Sequence, residues 1–276
     1  MQKYNLTVSI VLYQTDIDEV NNILRILSEI SLKYKVFLVD NSPTDDLKTE
    51  FQGLPNVEYI FTGKNLGFGS GHNVAINKVK EQTEYHLVLN ADVNFEGKIL
   101  EEIYGYMSKN NNVGLLAPKI FNPDASIQYS AKLLPTPANL IVRRFVPIKW
   151  LQSILDNRYE FRFFSFDKII EVPYVMGCFM FISANVFQKI NGFDERFFMY
   201  PEDIDLTRRI HAKFKTIYYP KATITHKHGK GSYKNGKLLY YHITSMIKYF
   251  NKWGWFFDSE RSEINNKILA QFKDIK

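Results

Sequence analysis

An α/β protein with a central, mainly parallel sheet and helices on both faces is the fold class this sequence predicts. Three observations carry it. Short apolar strands alternate with helical periodicity over the first 120 residues. Polar clusters fall at the carboxyl ends of successive strands. The composition, 45% hydrophobic and 23% charged over 276 residues, suits one large domain or two closely joined lobes.

The elements follow in order. "LTVSIVLY" reads as a buried strand, and Val20, Ile23, Leu24 and Leu27 then recur at helical spacing. "YKVFLVD" is a second strand ending in Asp40, with "NSPTDD" as a turn. "VEYIFT" is a third, followed by the glycine-rich "NLGFGSGHN" opening a helix. "YHLVLN" is a fourth, then "ADVNF", a helix over about 98–109, and a fifth strand "VGLLAP". Strands that alternate with helices pair in parallel, and such sheets bind ligands beyond their carboxyl ends. Asp40, Asn65 to Asn73 and Asn90 to Asp92 all fall there.

Beyond residue 120 the pattern changes. "NPDASIQYS" predicts a hairpin, and 133–170 reads as irregular. "VPYVMGCFMFIS" predicts one buried strand and "ANVFQKI" a helix. "GFDERFFMYPEDIDLTRR" is a loop entering a helix, and "TIYYPKATITH" reads as strand, turn, strand. The tail from Gly236 is helical and aromatic.

Composition excludes several classes. Cys178 is the only cysteine, so no intrachain disulfide forms and a reducing compartment is expected. "MQKYNLTVSIVLY" lacks a signal-peptide pattern, and the longest apolar run, "VMGCFMFI", is far short of the roughly 18 residues of a span. These point to a cytoplasmic protein, soluble or at most peripheral on the inner face of the cell membrane. The net charge of +6 favours an anionic partner, but the basic residues are scattered rather than banded, against nucleic acid.

Each motif has a plain alternative. The glycine loop follows the third strand and reads GxGxG, so it is neither a Rossmann fingerprint nor a Walker A sequence. Its glycines either permit a tight turn or let backbone approach a phosphate. Asp92, with Asn90 two residues earlier, suits a hard cation that keeps substrate phosphates as ligands, or a strand-end turn. Glu202, Asp203 and Asp205 after Pro201 suit a helix start, with Asp205 paired to Arg209. His226 and His228 point to opposite faces of a strand, so only one could join Asp92 on a metal.

The ordered set "VSIVLY", "VFLVDN", "NLGFGSGHN", "LVLNADV", "GCFMFIS", "GFDERFFMYPEDIDLTRR" and "THKHG" resembles family 2 glycosyltransferases of the GT-A fold, in particular a bacterial rhamnosyltransferase-like branch. The likeness runs over roughly residues 7–232. It implies a glycosyltransferase domain over 1–235, with a nucleotide-sugar half (1–120) and an acceptor half (121–235), and a helical extension over 236–276. It implies that Tyr13, Asp40, Asn65, Gly67, Asn73, Asn90, Asp92 and Gly177 line the nucleotide-sugar site. Asp92 and His226 would hold a divalent cation, Mg or Mn. Asp203, with Glu202 beside it, would activate the acceptor. The implied reaction is inverting transfer of a hexose, with L-rhamnose the expected sugar, from a nucleoside diphosphate to a cell-surface glycan or lipid-linked acceptor.

The sequence departs from that pattern where Asn90 replaces the first acid of a DxD motif, where Gln14 replaces an asparagine, and where Pro201 precedes the acid pair. A sugar-nucleotide nucleotidyltransferase would carry a Gly-rich segment with arginine after the first strand, which "VLYQTDIDE" lacks. A non-catalytic nucleotide-sugar-binding protein of the same fold is the third reading, kept open by Asn90. For the tail, Leu239, Ile243, Met246 and Phe250 form one apolar face. That face predicts packing on the core, a homodimer contact or an interfacial membrane anchor.

Overall fold

The computed structural model describes residues 3–79, 81–142, 148–227 and 236–273. His228 and the rest of 228–235 lie outside the described residues.

The first half is built as the alternation requires. Strands β1 (Tyr4–Leu12), β2 (Tyr34–Asp40), β3 (Val57–Phe61) and β4 (Thr83–Leu89) are parallel and lie in the order β3-β2-β1-β4. Along β1, Leu6, Val8, Ile10 and Leu12 enter one core, shared with Val20, Ile23 and Leu27 of helix α1 (Ile17–Ser28). The alternate residues Thr7 and Ser9 face the other side, where helix α3 (Phe68–Val79) packs. The period-2 alternation therefore places α1 and α3 on opposite faces. Helix α2 (Lys48–Phe51) is a single turn between β2 and β3. Order reverses at β1, and the carboxyl ends of β1 and β4 are the switch point at which sheets of this kind bind ligands.

After β4 come the short β5 (Val93–Asn94), α4 (Lys98–Lys109) and β6 (Val113–Phe121). The expected fifth strand, β6, does not pair with β4. Strand β11 (Phe179–Ser183) inserts between them, antiparallel to both. The hairpin forms as expected, with β7 (Ile127–Gln128) folding back on β6. Strands β8 (Ala131–Lys132) and β10 (Tyr174–Val175) make a separate two-stranded sheet.

Three expectations need correction. "VPYVMGCFMFIS" is two strands, β10 and β11, broken at Met176–Cys178. The segment read as irregular contains a π turn (Ala138–Val142) and helix α5 (Lys149–Tyr159). Trp150 and Ile154 of α5 are exposed while Asp156 and Tyr159 are buried, so no apolar stripe announces this helix. "TIYYPKATITH" is one strand, β12 (Lys215–His226), running parallel to β6 with a register shift between Tyr219 and Thr223. Pro220 lacks an N–H and bulges the strand without ending it. Strand β9 (Ile170–Glu171) pairs with β12.

Helices α6 (Ala184–Lys189), α7 (Glu202–His211), α8 (Gly236–Trp253) and α9 (Ser259–Ala270) complete the chain. The tail is built into the second half of the chain: Tyr249 and Phe250 of α8 share a core with Leu134, Tyr174, Phe197 and Ile204. No helix among the described residues is long and apolar enough to cross a membrane.

Candidate active site

The expected site residues gather on one rim of the sheet. Asp40 ends β2 directly opposite Leu12 of β1, and Tyr13 follows, half its surface exposed (48%). Asn41 donates its backbone N–H to Leu12 O (2.8 Å) and its side-chain amide to Gly67 O (3.0 Å). Asn65 accepts from the Gly67 N–H (2.9 Å), a turn that sets up the start of α3. Asp40 and Asn90–Asp92 thus share one edge, separated only by β1.

Two of the expected nucleotide contacts are committed to the protein itself. Asp40 is wholly buried; its carboxylate accepts from Ser42 N–H (2.8 Å) and from the Tyr59 hydroxyl (2.6 Å). Asn73 accepts from Phe193 N–H (2.8 Å) and donates to Phe193 O (2.9 Å) and Glu195 (3.0 Å). It pins the loop before α7. The glycines also serve close packing. Gly67 has φ +81°, and a Cβ there would sit 2.1 Å from Phe198 O; one on Gly71 would strike Val11 at 2.7 Å. At these two positions the missing side chain makes room for the Phe198 backbone and for Val11.

The Asn90 departure sits in a tight polar cluster. His226 Nε2 lies 3.3 Å from Asp92 Oδ1 and 3.4 Å from Asn90 Nδ2. Its Nδ1 lies 2.8 Å from Gln128 Oε1, and Gln128 donates its amide to Asn122 Oδ1 (2.9 Å). That second bond assigns the amide oxygen to the histidine, so Nδ1 carries a proton and Nε2 faces the carboxylate. Burial opposes a charge on His226, but the neighbouring Cys178 sulfur and Asp92 carboxylate outweigh it and push the imidazole up to about 10. Burial likewise opposes ionisation of Asp92, and the hydrogen bond and charge of His226 more than offset it, lowering the carboxyl.

The donor set fits a divalent cation in one respect: Nε2 and Oδ1 converge, and Gln128 orients the ring as an outer partner does at metal-bound histidines. It is sparse in another. Among the described residues no group of three His, Cys, Asp or Glu converges as a metal site, so further ligands would be substrate oxygens or water.

The acid pair at the start of α7 has the opposite character. Asp203 accepts from Gly177 N–H (3.1 Å) and the Tyr174 hydroxyl (3.3 Å) at Oδ2, and from Ile204 N–H (2.8 Å) at Oδ1. Burial nonetheless dominates and raises its carboxyl to about 7. Glu202, expected beside it in the crevice, is buried instead, with Oε2 unpartnered. Burial and then the Asp203 charge push Glu202 well above the usual carboxylate range. Tyr200, two residues before the pair, has φ +93°, a left-handed strain of about 1–3 kcal/mol held where the loop delivers the acids.

The two clusters meet on the broken strand. Gly177 donates its N–H to Asp203, and the next residue, Cys178, accepts the Asn90 N–H at its carbonyl (3.0 Å). A Cβ on Gly177 would lie 3.1 Å from the Phe68 ring and 3.3 Å from Asp203 Cβ, so α3, α7 and the β10–β11 break converge there. Sequence reasoning missed Tyr174 and Gln128. Both lie in two-residue strands, Tyr174 in β10 and Gln128 in β7, where nothing in the local pattern distinguishes them.

A switch-point crevice flanked by two carboxylate clusters is the GT-A architecture, and solved structures agree. S. aureus TarS superposes with a TM-score of 0.57 at 12% identity, covering 99% of this chain and 72% of that one. GalNAc-T7 with UDP, GalNAc and Mn2+ gives 0.56 at 14% identity, covering 81% of this chain and only 43% of that one. The chain belongs to glycosyl transferase family 2, whose profile matches residues 8–190. A second profile, the N-terminal domain of galactosyltransferase, matches residues 159–230. The chain is 28% identical to the N-acetylglucosaminyl-diphospho-decaprenol L-rhamnosyltransferase of Mycobacterium tuberculosis, covering 81% of this chain and 78% of that protein. It is 27% identical to rhamnosyltransferase WbbL of Escherichia coli, covering 84% and 88%. The protein is a glycosyltransferase, rhamnosyltransferase-like, of glycan biosynthesis.

Proposed function

We propose that this enzyme catalyses inverting transfer of a hexose, L-rhamnose by its resemblance to the two rhamnosyltransferases, from a nucleoside diphosphate sugar to a lipid-linked saccharide. The observation that carries the reading is the meeting of two carboxylate clusters of opposite proton affinity on Gly177–Cys178.

The nucleotide lies along the rim of Tyr13, Asn65 and Gly67, with Asp40 and Asn73 holding the walls from inside. The acceptor hydroxyl approaches the anomeric carbon from the α7 side. Asp203, its carboxyl raised to about 7, takes the hydroxyl proton as the new glycosidic bond forms. The anomeric C–O bond to the diphosphate breaks on the opposite face, and the nucleoside diphosphate leaves with its electron pair. Backbone N–H groups of Gly177 and Ile204 hold the base in place throughout. A divalent cation would be held by Asp92 and His226 and would supply positive charge to the leaving diphosphate. Asn90 reduces the protein's own charge on such an ion, which leaves substrate oxygens the larger share.

The test is to incubate the purified protein with a panel of nucleotide sugars and acceptor glycolipids and to follow nucleoside diphosphate release. Release with one deoxyhexose donor and dependence on Asp203 support the reading. Tight donor binding without release from any acceptor points to a binding protein instead.

A further inference from the structure

The apolar face of α8 that the sequence singled out is occupied by the protein: Met246 and Phe250 are buried, and Leu239 and Ile243 half-buried. The opposite face is left in solvent. At 100° per residue, Lys237, Tyr240, Thr244, Ile247, Lys248 and Asn251 fall in one arc, and all but the half-buried Thr244 are exposed. Residues 236–257 contain no acidic side chain. Just past this arc, Phe256 and Phe257 are 79% and 98% exposed, side by side.

This tip is fixed. Gly254 has φ +100°, and a Cβ there would lie 2.6 Å from Phe257 O, so the turn closes tightly. Trp255 turns inward against Phe250 at 5.1 Å. Asp258 caps α9 through Arg261 N–H (2.9 Å) and accepts both amino groups of the buried Arg208 (2.7 and 2.8 Å). The Arg208 guanidinium lies 4.0 Å from the Trp253 ring. Holding two phenylalanine rings in water forgoes the favourable transfer that burial would give each of them.

We propose that the Phe256–Phe257 tip and the exposed face of α8 seat the enzyme on an anionic bilayer surface. The rings enter the headgroup–acyl boundary, and the exposed Lys237 and Lys248 lie over acidic headgroups, Lys248 also donating to Arg196 O (2.7 Å). A lipid surface is the occupant because the exposed aromatic tip adjoins a helix face that carries lysines and no acid, which complements anionic headgroups. Arg208 lies five residues after Asp203, about 7.5 Å along the helix axis, so the tip is bonded to the helix that carries Asp203. Only the idea that this seat delivers the acceptor rests on the lipid-linked reading above.

The experiment is co-sedimentation of the full-length protein with phosphatidylethanolamine vesicles, with and without phosphatidylglycerol, at low and high salt. Binding should require phosphatidylglycerol, weaken with salt, and fall at least tenfold in a Phe256→Ser/Phe257→Ser variant whose thermal midpoint and nucleoside diphosphate release with a water-soluble acceptor are unchanged. Failure of the native protein to sediment at low salt overturns the proposal. Equal binding by the double variant also overturns it, as does a tip-dependent dimer that stays off vesicles. A protein that binds vesicles but transfers no sugar refutes the proposed reaction and leaves the seat standing.

Discussion

Asp203 and Asn90, two residues before Asp92, bond to the same two-residue segment, Gly177–Cys178, and the two carboxylates, Asp203 and Asp92, are pushed in opposite directions by their surroundings. Burial acts on both to favour the neutral acid. At Asp92 a buried imidazole 3.3 Å away reverses that effect. At Asp203 nothing reverses it: the hydrogen bonds of Gly177, Ile204 and Tyr174 and the charge of Lys132 recover only part of the cost. The difference lies in the partner rather than the carboxylate. A carboxylate kept ionised suits a site that handles a diphosphate and its counter-cation; one poised near neutrality suits proton abstraction.

The largest break in this comparison comes from Asp203→Asn. Transfer should fall about 10²–10⁴-fold, the usual worth of a general base, while the donor dissociation constant changes little. Single-turnover product formation and donor titration separate the two effects. Near-normal turnover would leave the α7 acids as a helix start and nothing more.

Asp92→Ala acts at the other end. It should raise the donor dissociation constant in the presence of Mg or Mn by at least the about 10–100-fold typical of losing an outer partner at a metal-bound histidine. Isothermal titration with and without chelator is the measurement. Full activity of the native enzyme in chelator would mean that His226 and its proton, not a cation, face the diphosphate.

Much of this geometry was legible in the sequence, for a definable reason. Alternation along "LTVSIVLY" and "YKVFLVD" dictates which side chains face α1, so the first four strands and the placement of Asp40 and Asn90 at their ends follow from local pattern. The insertion of β11 between β4 and β6 does not, because "FMFIS" is buried on both faces and carries no directional signal. The same blindness hid the break at Met176–Cys178, where the site is assembled. Side-chain destinations were least legible: Asn73 and Asp40 have the right residue type for nucleotide contacts, yet long-range pairing with Phe193, Glu195 and Tyr59 consumes them. The tail helix was read correctly as amphipathic, but sequence could not say that its apolar face meets Tyr174 and Ile204.

Tyr174 sharpens the comparison on the Asp203 side. Its hydroxyl donates to Oδ2 and so favours the ionised base; removing it must raise the carboxyl further. In Tyr174→Phe the acid limb of the kcat/KM profile, expected near pH 7 in the native enzyme, should move to higher pH by up to about one unit. Rates at high pH should stay close to native. A limb that stays in place, or a uniform loss at all pH values, would assign Tyr174 to packing alone.

The smallest effect, and the one that isolates burial from catalysis, belongs to Glu202→Gln. Glu202 keeps its proton in the folded protein, whereas the unfolded chain releases it above the ordinary value of 4.5. Between that pH and the raised folded value the native state binds more protons than the unfolded one, so the native protein loses stability as pH rises. Glutamine has the same shape and no proton to lose. Glu202→Gln should therefore match the native thermal midpoint below about pH 4.5 and exceed it by a few degrees at pH 8, about 2–4 °C for each kcal/mol at this chain length. Transfer should be retained, because the side chain is buried away from the crevice. A midpoint below native at pH 8 would show that Glu202 is ionised and held by a partner, and the contrast between the two ends of the site would lose half its basis.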